Sequence, residues 1–583
     1  MIGLVTATAA GRRMAQRLAD AWPGGCTVHS GPVADQLRAA WNTSDTLVCF
    51  LATGATVRLL APLLRDKSTD PGVVCVDEAG GHAVALLGGH EGGANALAHR
   101  VAEVLGARPV VTTASDATGH PALDSFGADL GFRVADRAGL ARVGRALLDG
   151  SPVRLVADAT WPVPALPTAR TGPTGRTDPT DPTAPTAPTG PTDPTVAVSD
   201  RLDATGDLVY RPPSLVVGVG SSRGVPAAEV AALVRDALAD AGLAIESVRA
   251  LATVDVKADE AGIVAAAHDF GVPLLTFPAA ALSTVDVPNP SEVVRAAVGT
   301  PSVAEAAALH AARDAGRDAT LVVTKRAGAM ATVAVARLVP RGRLTLVGLG
   351  PGAADLRTPR ATEALRRART VVGLDQYVDQ IEHLLRPGTT VLRSGLGEEE
   401  ARARTAVELA RAGHAVALVG SGDAGVYAMA SPALQLAGPD VDVQTVPGIT
   451  AGLAAAALLG APLGHDHAYL SLSDLHTPWP VIAGRLRACA AADLVLCLYN
   501  PRSARRTAQF DEALAILAEH RKPDTPVGVV RDATRPGQRI RLTTLHALDP
   551  STVDMRSLVV VGSSRSTVVA GRLVTPREYR WLP

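Results

Sequence analysis

A single carboxylate flanked by glycines stands where an apolar run ends. The sequence Gly-Ser-Gly-Asp at 420–423 directly follows the apolar residues 415–419, which predict a β-strand. Ligands of parallel sheets bind beyond the carboxyl ends of the strands, and glycines let a ligand approach bare backbone. Asp423 therefore stands where a ligand site is to be sought. Alternatively it could cap a following helix, which is the interpretation that this turn favours when taken alone.

Four more stretches of the C-terminal third carry residue types suited to binding or proton transfer. GLGPG follows the predicted strand 344–347, but it departs from the dinucleotide fingerprint because Ala353 stands where the third glycine belongs. The other three, in chain order, are VPGITA at 446–451, LSLSDLHTPW at 470–479 and LYNP at 498–501. The second of these is too polar for a core strand, so its side chains are candidates for handling protons or acidic substrate groups.

In the N-terminal half, GGHEGGAN at 88–95 places His90 and Glu91 between two glycine pairs. Either side chain could remove a proton from water, so both are candidate catalytic bases. A zinc site would require H-E-x-x-H, and residue 94 is alanine. The basic residues Arg58, Arg223 and Lys257 are candidates for binding substrate carboxylates, because guanidinium and ammonium groups pair with them. The alternative for each stretch is an ordinary glycine-rich turn.

The composition limits the classes of function. The chain has 583 residues, of which 47% are apolar, and a net charge of -1, so no basic field would attract nucleic acid. The five cysteines have no C-x-x-C spacing, which predicts reduced thiols and no metal site built on them. No basic segment precedes the first apolar run, and no apolar stretch has the length of a membrane span. We therefore expect a cytoplasmic protein with no membrane or nucleic-acid partner.

Short Val/Leu/Ala runs that end in glycine or threonine alternate with helical stretches along most of the chain. This alternation predicts a multidomain α/β protein with mainly parallel sheets. Residues 164–195 are dominated by proline and threonine, which predicts an extended, disordered insertion. A second boundary is expected near residues 341–342. The predicted domains are 1–120, a middle region 121–213 that contains the insertion, 214–338 and 343–583.

The ordered C-terminal motifs resemble the tetrapyrrole methylases over residues 342–583, and SGDAGVY, VPGITA, LSLSDLHTPW and LYNPRS resemble the precorrin-3B C(17)-methyltransferase branch. The resemblance implies a two-lobed fold, a homodimer and S-adenosyl-L-methionine as methyl donor. By position, the implied cofactor-binding residues are Pro351, Ser421, Gly422, Asp423, Val426, Thr450, Ala451, Tyr499 and Ala533. Related methylases carry an acid where Asp375 stands, so the resemblance makes Asp375 a candidate catalytic residue; the alternative is a solvated loop acid. Candidates for proton transfer or for holding acetate groups are Ser473, Asp474, His476 and Thr477.

The implied reaction transfers a methyl group by in-line displacement at a sulfonium. Its leaving group is neutral, so no metal is required, and catalysis consists chiefly of positioning. In that branch the macrocycle also contracts, carbon 20 moves outside the ring and a lactone forms. The sequence leaves open whether the tetrapyrrole already carries cobalt.

The N-terminal motifs LATG-x-x-VR, VDEAG, GGHEGGAN, GxGxxRG, KADE and NPSE occur in order and resemble the cobalt-precorrin-5A hydrolase family over residues 1–338. That family opens the lactone and releases acetaldehyde. The combined resemblance predicts a bifunctional cobalamin-biosynthesis enzyme whose two steps are separated by a methylation at carbon 11. The alternatives are a non-catalytic corrinoid-binding module in the N-terminal part, or a methyltransferase for uroporphyrinogen or a diphthine intermediate. LSLSDLHTPW argues against the last of these.

Overall fold

The computed structural model describes residues 1–66, 69–90, 92–168 and 193–577. Two compact units divide the chain. The first comprises Met1–Ala159, Val163–Pro340 and Arg386–Gly388, and the second Thr160–Pro162, Arg341–Leu385 and Thr389–Pro583. In the described ranges, no helix has both the length and the apolar character that a membrane crossing requires.

The first unit begins with a six-stranded sheet whose first four strands in spatial order are parallel. Its central strands are continuous apolar runs because helices cover both faces, which leaves side chains such as Leu4, Val48 and Val74 fully buried. The strands, in spatial order, are Cys26–Val28, Ile2–Thr6, Thr46–Phe50, Gly72–Val76, His82–Leu87 and Arg108–Val110. The helices are Ala9–Ala21, Val33–Thr43, Thr53–Leu60, Ala94–Leu105 and Ala114–Thr118.

A smaller four-stranded sheet follows. Its strands in spatial order are Arg133–Val134, Leu208–Arg211, Thr195–Val198 and Arg154–Ala157, and its helix is Ala138–Leu148. The two ends of the predicted insertion are packed, since Ala165 and Leu166 are buried and Thr195 begins a strand. These ends of the insertion are packed because their apolar side chains can be buried against neighbouring strands. Residues 169–192 lie outside the described residues, and for them disorder stays a prediction.

The last part of the first unit is a five-stranded sheet. Its strands in spatial order are Leu274–Phe277, Val248–Val254, Leu215–Ser221, Ala331–Val339 and Asp318–Ala327. The first three run parallel and the last two form an antiparallel hairpin. The helices are Ala227–Asp240, Ala261–Asp269, Ala279–Ser283, Glu292–Val298 and Val303–Ala315.

The second unit has two lobes. The first lobe is an all-parallel sheet with strands in the order Thr390–Ser394, Thr370–Leu374, Ala415–Gly420, Gly342–Gly348 and Val441–Val446. Its helices are Pro359–Arg367, Asp375–Val378, Glu399–Arg411 and Ala430–Leu436. The two central strands end in Gly348 and Gly420, so two glycine turns lie beside each other at the carboxyl edge of this sheet.

The second lobe has a mixed sheet with strands in the order His467–Ser471, Val495–Tyr499, Ser557–Val561, Pro526–Arg531 and Arg539–Thr544. A separate three-stranded sheet consists of Gly460–Ala461, Arg572–Val574 and Thr567–Val569, in that spatial order. The helices are Ala451–Leu459, Trp479–Ala491 and Ala508–Ala518. Three of the four pairings in the mixed sheet are antiparallel. The short connection 532–538 explains one of them, because a parallel crossover needs a dozen or more residues.

Candidate functional site

Three glycine turns of the first lobe of the second unit meet at the carboxyl edge of its sheet. Gly350 and Gly422 exchange two backbone hydrogen bonds, N–H to O, of 3.0 and 2.8 Å. A Cβ added to Gly448 would lie 2.1 Å from the Gly422 carbonyl oxygen and 2.7 Å from that of Gly348. The turns therefore pack backbone against backbone, and glycine is required at Gly448 for space rather than for an unusual φ.

The carboxylate of Asp423 joins two of these turns. Its Oδ1 accepts the Gly425 N–H at 2.8 Å, and its Oδ2 accepts the Gly448 N–H at 3.0 Å. The next helix begins only at Ala430, so the helix-capping interpretation of Asp423 is wrong. The carboxylate instead fixes the spacing between the turns at 420–423 and 446–450.

Arg535, in the connection between two strands of the second lobe, joins the turn at 348–352 to the turn at 420–423. Its Nε donates to the Pro351 carbonyl and its Nη2 to the Ser421 hydroxyl, each at 2.7 Å. A Cβ on Gly352 would lie 2.4 Å from Arg535 Cγ, so the last glycine of GLGPG makes room for the arginine. No motif in the sequence indicated this arginine, because it lies more than a hundred residues from its partners.

The helix Ala451–Leu459 begins beside these turns, and a tyrosine hydroxyl satisfies its first amides. Tyr499 Oη lies 2.7 Å from Thr450 Oγ1 and accepts the Gly452 N–H at 2.7 Å. The ring centroids of Tyr427 and Tyr469 lie 5.3 and 5.6 Å from that of Tyr499. Burial raises the pKa of Tyr469 to about 12, so this phenol stays neutral at physiological pH. Ala451, Tyr499 and Ala533 pack against one apolar cluster.

Four residues other than glycine adopt left-handed backbone conformations around this edge. They are Tyr427 (φ 51°), Asn500 (φ 48°), Asp532 (φ 50°) and Thr534 (φ 62°). Such a conformation costs about 1–2 kcal/mol per residue and persists only where the surroundings impose it. The Asp532 carboxylate is buried and accepts from Arg556 Nε at 2.6 Å and from Arg531 Nη1 at 2.9 Å. These ion pairs hold the strained turn that carries Arg535.

The polar loop 470–479 is anchored by its aspartate. Asp474 Oδ2 accepts from Gln509 Nε2 at 2.8 Å, and its Oδ1 lies 3.7 Å from Nε of Arg506. Ser473 is partly buried, and its N–H donates to Ser471 Oγ at 3.3 Å. His476 is exposed and Thr477 is partly buried. Asp474 therefore has an anchoring role that the sequence did not indicate, while catalytic roles for Ser473 and His476 stay predictions.

The other predicted site residues of this unit differ in how far they are buried. Pro351 and Gly422 are buried, and Ser421 and Val426 are partly buried. Asp375 is exposed at the first position of the helix Asp375–Val378, and its carbonyl accepts from Arg393 Nη1 at 3.5 Å. Several of the predicted cofactor residues thus lie at the glycine turns, namely Pro351, Ser421, Gly422, Asp423 and Thr450, whereas Asp375 begins a separate short helix. Their binding of a cofactor stays a prediction.

In the first unit, His90 lies in a polar cluster. Its Nε2 is 2.9 Å from Ser115 Oγ and 3.1 Å from Asp116 Oδ2. The Asp116 carboxylate also accepts from Asn95 Nδ2 at 2.9 Å and from the Thr113 hydroxyl. The hydrogen bond from His90 is the largest influence that lowers the pKa of Asp116 to about 2. Asp116 is therefore ionised at neutral pH and can orient the imidazole.

A cavity of about 570 Å³ borders this cluster. His90, Ser115, His120 and Asp124 line it. His120 Nδ1 and Asp124 Oδ1 are buried atoms with no hydrogen-bond partner in the described part of the chain. Burial lowers the pKa of His120, which leaves its ring neutral at pH 7. Neither Ser115 nor His120 stood out in the sequence, because they lie beyond the glycine-rich motif. Glu91, the other predicted base, lies outside the described residues.

The predicted carboxylate-binding residues differ in what they contact. Arg58 and Arg223 are exposed, and Arg58 Nη1 donates to the Gly54 carbonyl at 3.0 Å within its own helix. Lys257 Nζ lies 3.1 Å from Glu260 Oε2, and both side chains are largely buried. A carboxylate of the chain therefore already pairs with Lys257, and the binding of a substrate carboxylate by this residue stays a prediction.

Four protein-family descriptions match consecutive parts of the chain. Residues 343–549 match the tetrapyrrole (corrin/porphyrin) methylases. Three further descriptions match the part of the chain that precedes it. Residues 35–116 match "Cobalamin synthesis G N-terminal", residues 121–212 match "Cobalamin biosynthesis central region", and residues 215–336 match "Cobalamin synthesis G C-terminus".

Individual relatives match the second unit. A protein of Salmonella typhimurium named "Probable cobalt-factor III C(17)-methyltransferase" is 47% identical over 242 residues, which cover 40% of this chain and 99% of the relative. "Cobalamin biosynthesis protein CobIJ" of Mycobacterium tuberculosis is 44% identical over 42% of this chain, which spans only 49% of that relative. The solved structure of the methyltransferase CobJ is 41% identical and is covered completely by 40% of this chain, with a TM-score of 0.39.

Proposed function

The chain belongs to the tetrapyrrole (corrin/porphyrin) methylases, and on this premise we propose that it is a bifunctional enzyme of cobalamin biosynthesis. The second unit methylates C(17) of a precorrin-3B or cobalt-factor III type of tetrapyrrole and contracts its ring. The first unit opens the lactone of a later intermediate, cobalt-precorrin-5A, and releases acetaldehyde. The observation that carries the methyltransferase part is the set of three backbone-packed glycine turns, which Asp423 and Arg535 hold together.

The glycine turns fit S-adenosyl-L-methionine. A Cβ on Gly422 would lie 3.5 Å from Thr450 Cα and 3.6 Å from Ala451 N, so the bare backbone leaves that space open beside the helix start. Tyr427, which is half-exposed, and the partly buried Tyr499 offer aromatic surface next to it. Aromatic faces attract cations, and a sulfonium is one.

S-adenosyl-L-methionine, when bound, would supply a methyl group on a sulfonium, whose sulfur would leave as a neutral thioether. The residues of the chain position the reacting groups, which is the larger part of catalysis in such a displacement. Two of the glycine turns offer the cofactor the backbone of Pro351 and Gly422 and the hydroxyl of Ser421. The start of the next helix offers it Thr450 and Ala451. Arg535 fixes the turns from the second lobe, so that the ring carbon is aligned with the methyl group.

In the hydrolase part, His90 is the base that we propose. The ionised Asp116 orients its ring, and His90 removes a proton from water as the water oxygen attacks the lactone carbonyl. The bond between the carbonyl carbon and the ring oxygen then breaks, leaving a carboxylate and an alkoxide that receives the proton. The carbinol hydroxyl then loses its proton and forms the C=O of acetaldehyde, as the bond to the macrocycle breaks and leaves its electron pair on the macrocycle carbon. That carbon takes up a proton, so no net proton is gained or lost in this step.

The function is tested with the purified full chain and two substrates. With S-adenosyl-L-methionine labelled with ¹³C in its methyl group and cobalt-factor III, we expect one labelled methyl in the macrocycle by mass spectrometry. With cobalt-precorrin-5A, we expect acetaldehyde in an enzyme-coupled assay. Binding of cobalt-precorrin-5A without acetaldehyde would support a non-catalytic corrinoid-binding module in place of the hydrolase.

Replacing Asp423 by alanine is expected to weaken binding of S-adenosylhomocysteine. The change removes two hydrogen bonds from backbone amides to a carboxylate, each worth about 1.5–3 kcal/mol, and it frees the turn at Gly448. We expect the dissociation constant measured by calorimetry to rise by about 10-fold or more. Asp440→Ala, which removes an acid near the end of the neighbouring helix, is the control. Unchanged affinity in the Asp423 variant would contradict the role of this carboxylate.

Three finer expectations belong to the proposal without a structural test. They are a cobalt-bearing substrate, self-association through the methylase part and a cytoplasmic location. The name of the Salmonella relative supports the first.

A further inference from the structure

A second cavity, of about 310 Å³, lies in the last part of the first unit. It is at the carboxyl ends of the parallel strands Leu215–Ser221 and Val248–Val254, where α/β sheets bind ligands. Among the described residues that line it, the charged ones are Lys257 and Lys325. Valines and alanines of the helix Glu292–Val298 form an apolar wall, and Val293 is 80% exposed.

Lysine is rare in this chain. Of its 56 lysine and arginine residues only four are lysines, and two of these four line this one cavity. Elsewhere arginine supplies nearly every positive charge. An ammonium differs from a guanidinium because it is a compact point charge with three rotatable donors. A cavity that holds half of the lysines therefore indicates a site at which a compact cation is needed.

The two ammonium groups have different surroundings. Lys257 Nζ is paired with Glu260 at 3.1 Å, whereas Lys325 Nζ donates to the neutral carbonyl oxygen of Asn289 at 3.3 Å. The buried carboxylate of Glu305 accepts the backbone N–H of Lys325 at 2.9 Å, and its other hydrogen bonds come from Asn289. Glu305 thus fixes the backbone at Lys325. The side chain of Lys325 lines the cavity.

A buried hydroxyl lies in the same cavity lining. Ser221 Oγ is inaccessible to solvent and has no hydrogen-bond partner within the part of the chain that the structure describes. Ser221 ends the strand Leu215–Ser221, and Ser222 follows it in the lining. A buried hydroxyl without a partner loses the free energy of a hydrogen bond, which a ligand oxygen would restore.

We propose that this cavity binds a carboxylate arm of a tetrapyrrole, with the Lys325 ammonium as its counter-ion and Ser221 as a hydrogen-bond donor. The inference rests on the proposed function, since it assigns a binding subsite for that substrate class. The apolar wall and the exposed Val293 cover the alkyl part of the arm and the adjoining ring edge. Lys257, neutralised by Glu260, contributes N–H donors more than net charge.

The scarcity of lysine makes a direct test practicable. Reductive methylation of the full chain with ¹³C-formaldehyde keeps the lysine charges and yields signals from only four lysines and the amino terminus. Single Lys257→Arg and Lys325→Arg variants assign two of them. The probes are cobyrinic acid, a corrin with carboxylate arms, and cobinamide, in which the arms are amides. Acetate is the small-anion probe, and the exposed Lys522 of the second unit is the internal reference.

We expect cobyrinic acid to shift the Lys325 and Lys257 signals saturably and to leave that of Lys522 unchanged, while cobinamide shifts neither. Lys325→Gln should weaken the cobyrinic acid titration, followed at Lys257, by about 10-fold or more. Arg326→Gln, which changes the neighbouring arginine that pairs with Asp240, should not.

Three results would overturn the proposal. They are unshifted Lys325 and Lys257 signals, equal shifts with cobinamide, and saturation by acetate at the concentrations that suffice for cobyrinic acid. The last result would identify a small-anion site only. Because the readout is binding and not turnover, a chain that releases no acetaldehyde but shows the lysine shifts would refute the hydrolase and leave this subsite standing.

Discussion

Replacement of His90 by glutamine is expected to slow acetaldehyde release from cobalt-precorrin-5A by about 100- to 10,000-fold, the usual cost of losing a general base. Glutamine keeps a polar side chain beside Ser115 and Asp116 but cannot take up a proton at neutral pH. Methyl transfer by the same preparation should be unchanged. The measurement is a coupled assay of acetaldehyde, combined with mass spectrometry of the methylated macrocycle.

Two further variants are compared with the His90 variant. His99→Gln changes an exposed histidine on the neighbouring helix Ala94–Leu105 and should have no effect. Asp116→Asn should slow the reaction less than the loss of His90 does, because it removes the orienting charge and keeps the base. Full hydrolase activity in the His90 variant would exclude His90 as the base. The neutral His120 in the adjoining cavity would then be the candidate to test next.

Gly448→Ala is expected to weaken binding of S-adenosylhomocysteine strongly and to remove most of the methyl transfer activity. The new Cβ would lie 2.1 Å from the Gly422 carbonyl and 2.7 Å from that of Gly348, so two turns of the site would have to separate. Overpacking costs about 1–3 kcal/mol, and here the atoms in the way are backbone, which cannot rotate aside. We expect affinity, measured by calorimetry, to fall by about 10-fold or more.

Gly484→Ala is the matched control in the same unit. Gly484 is an exposed glycine within the helix Trp479–Ala491, and a Cβ there meets no atom within 4 Å. Alanine should therefore leave activity unchanged and raise helix stability by up to about 1 kcal/mol. Circular dichroism and thermal melting of the Gly448 variant, compared with the unaltered chain, would show whether its second unit is folded. Normal cofactor affinity in that variant would contradict the assignment of the glycine turns.

Much of the fold follows from the sequence because its signals are local. The apolar runs at 2–6, 344–347 and 415–419 are indeed strands, Ile2–Thr6, Gly342–Gly348 and Ala415–Gly420. Ile2–Thr6 and Ala415–Gly420 are continuous runs of buried residues, and in Gly342–Gly348 every residue except Arg343 and Thr345 is buried. The antiparallel character of the sheet in the second lobe was not predicted, since it depends on how short connections pair strands in space.

The candidate sites were predictable where their residues lie in motifs and unpredictable where they do not. Asp423 was found through the glycines around it, but its partner Gly448 and the clamp Arg535 lie far along the chain. His90 was found in the same way, whereas Asp116, Ser115 and His120 assemble around it only through tertiary packing. Lys257 was chosen for its charge, and its pairing with Glu260 could be seen only in three dimensions.

The most direct test of the bifunctional account is one experiment on the full chain and its two single-site variants. Each of three preparations, unaltered, His90→Gln and Gly448→Ala, is given both substrates, and labelled methyl incorporation and acetaldehyde are measured together. The account predicts that the unaltered chain performs both reactions, that the His90 variant loses only acetaldehyde release, and that the Gly448 variant loses only methyl transfer. An unaltered chain that fails either reaction, or a single variant that loses both while remaining folded, would contradict it.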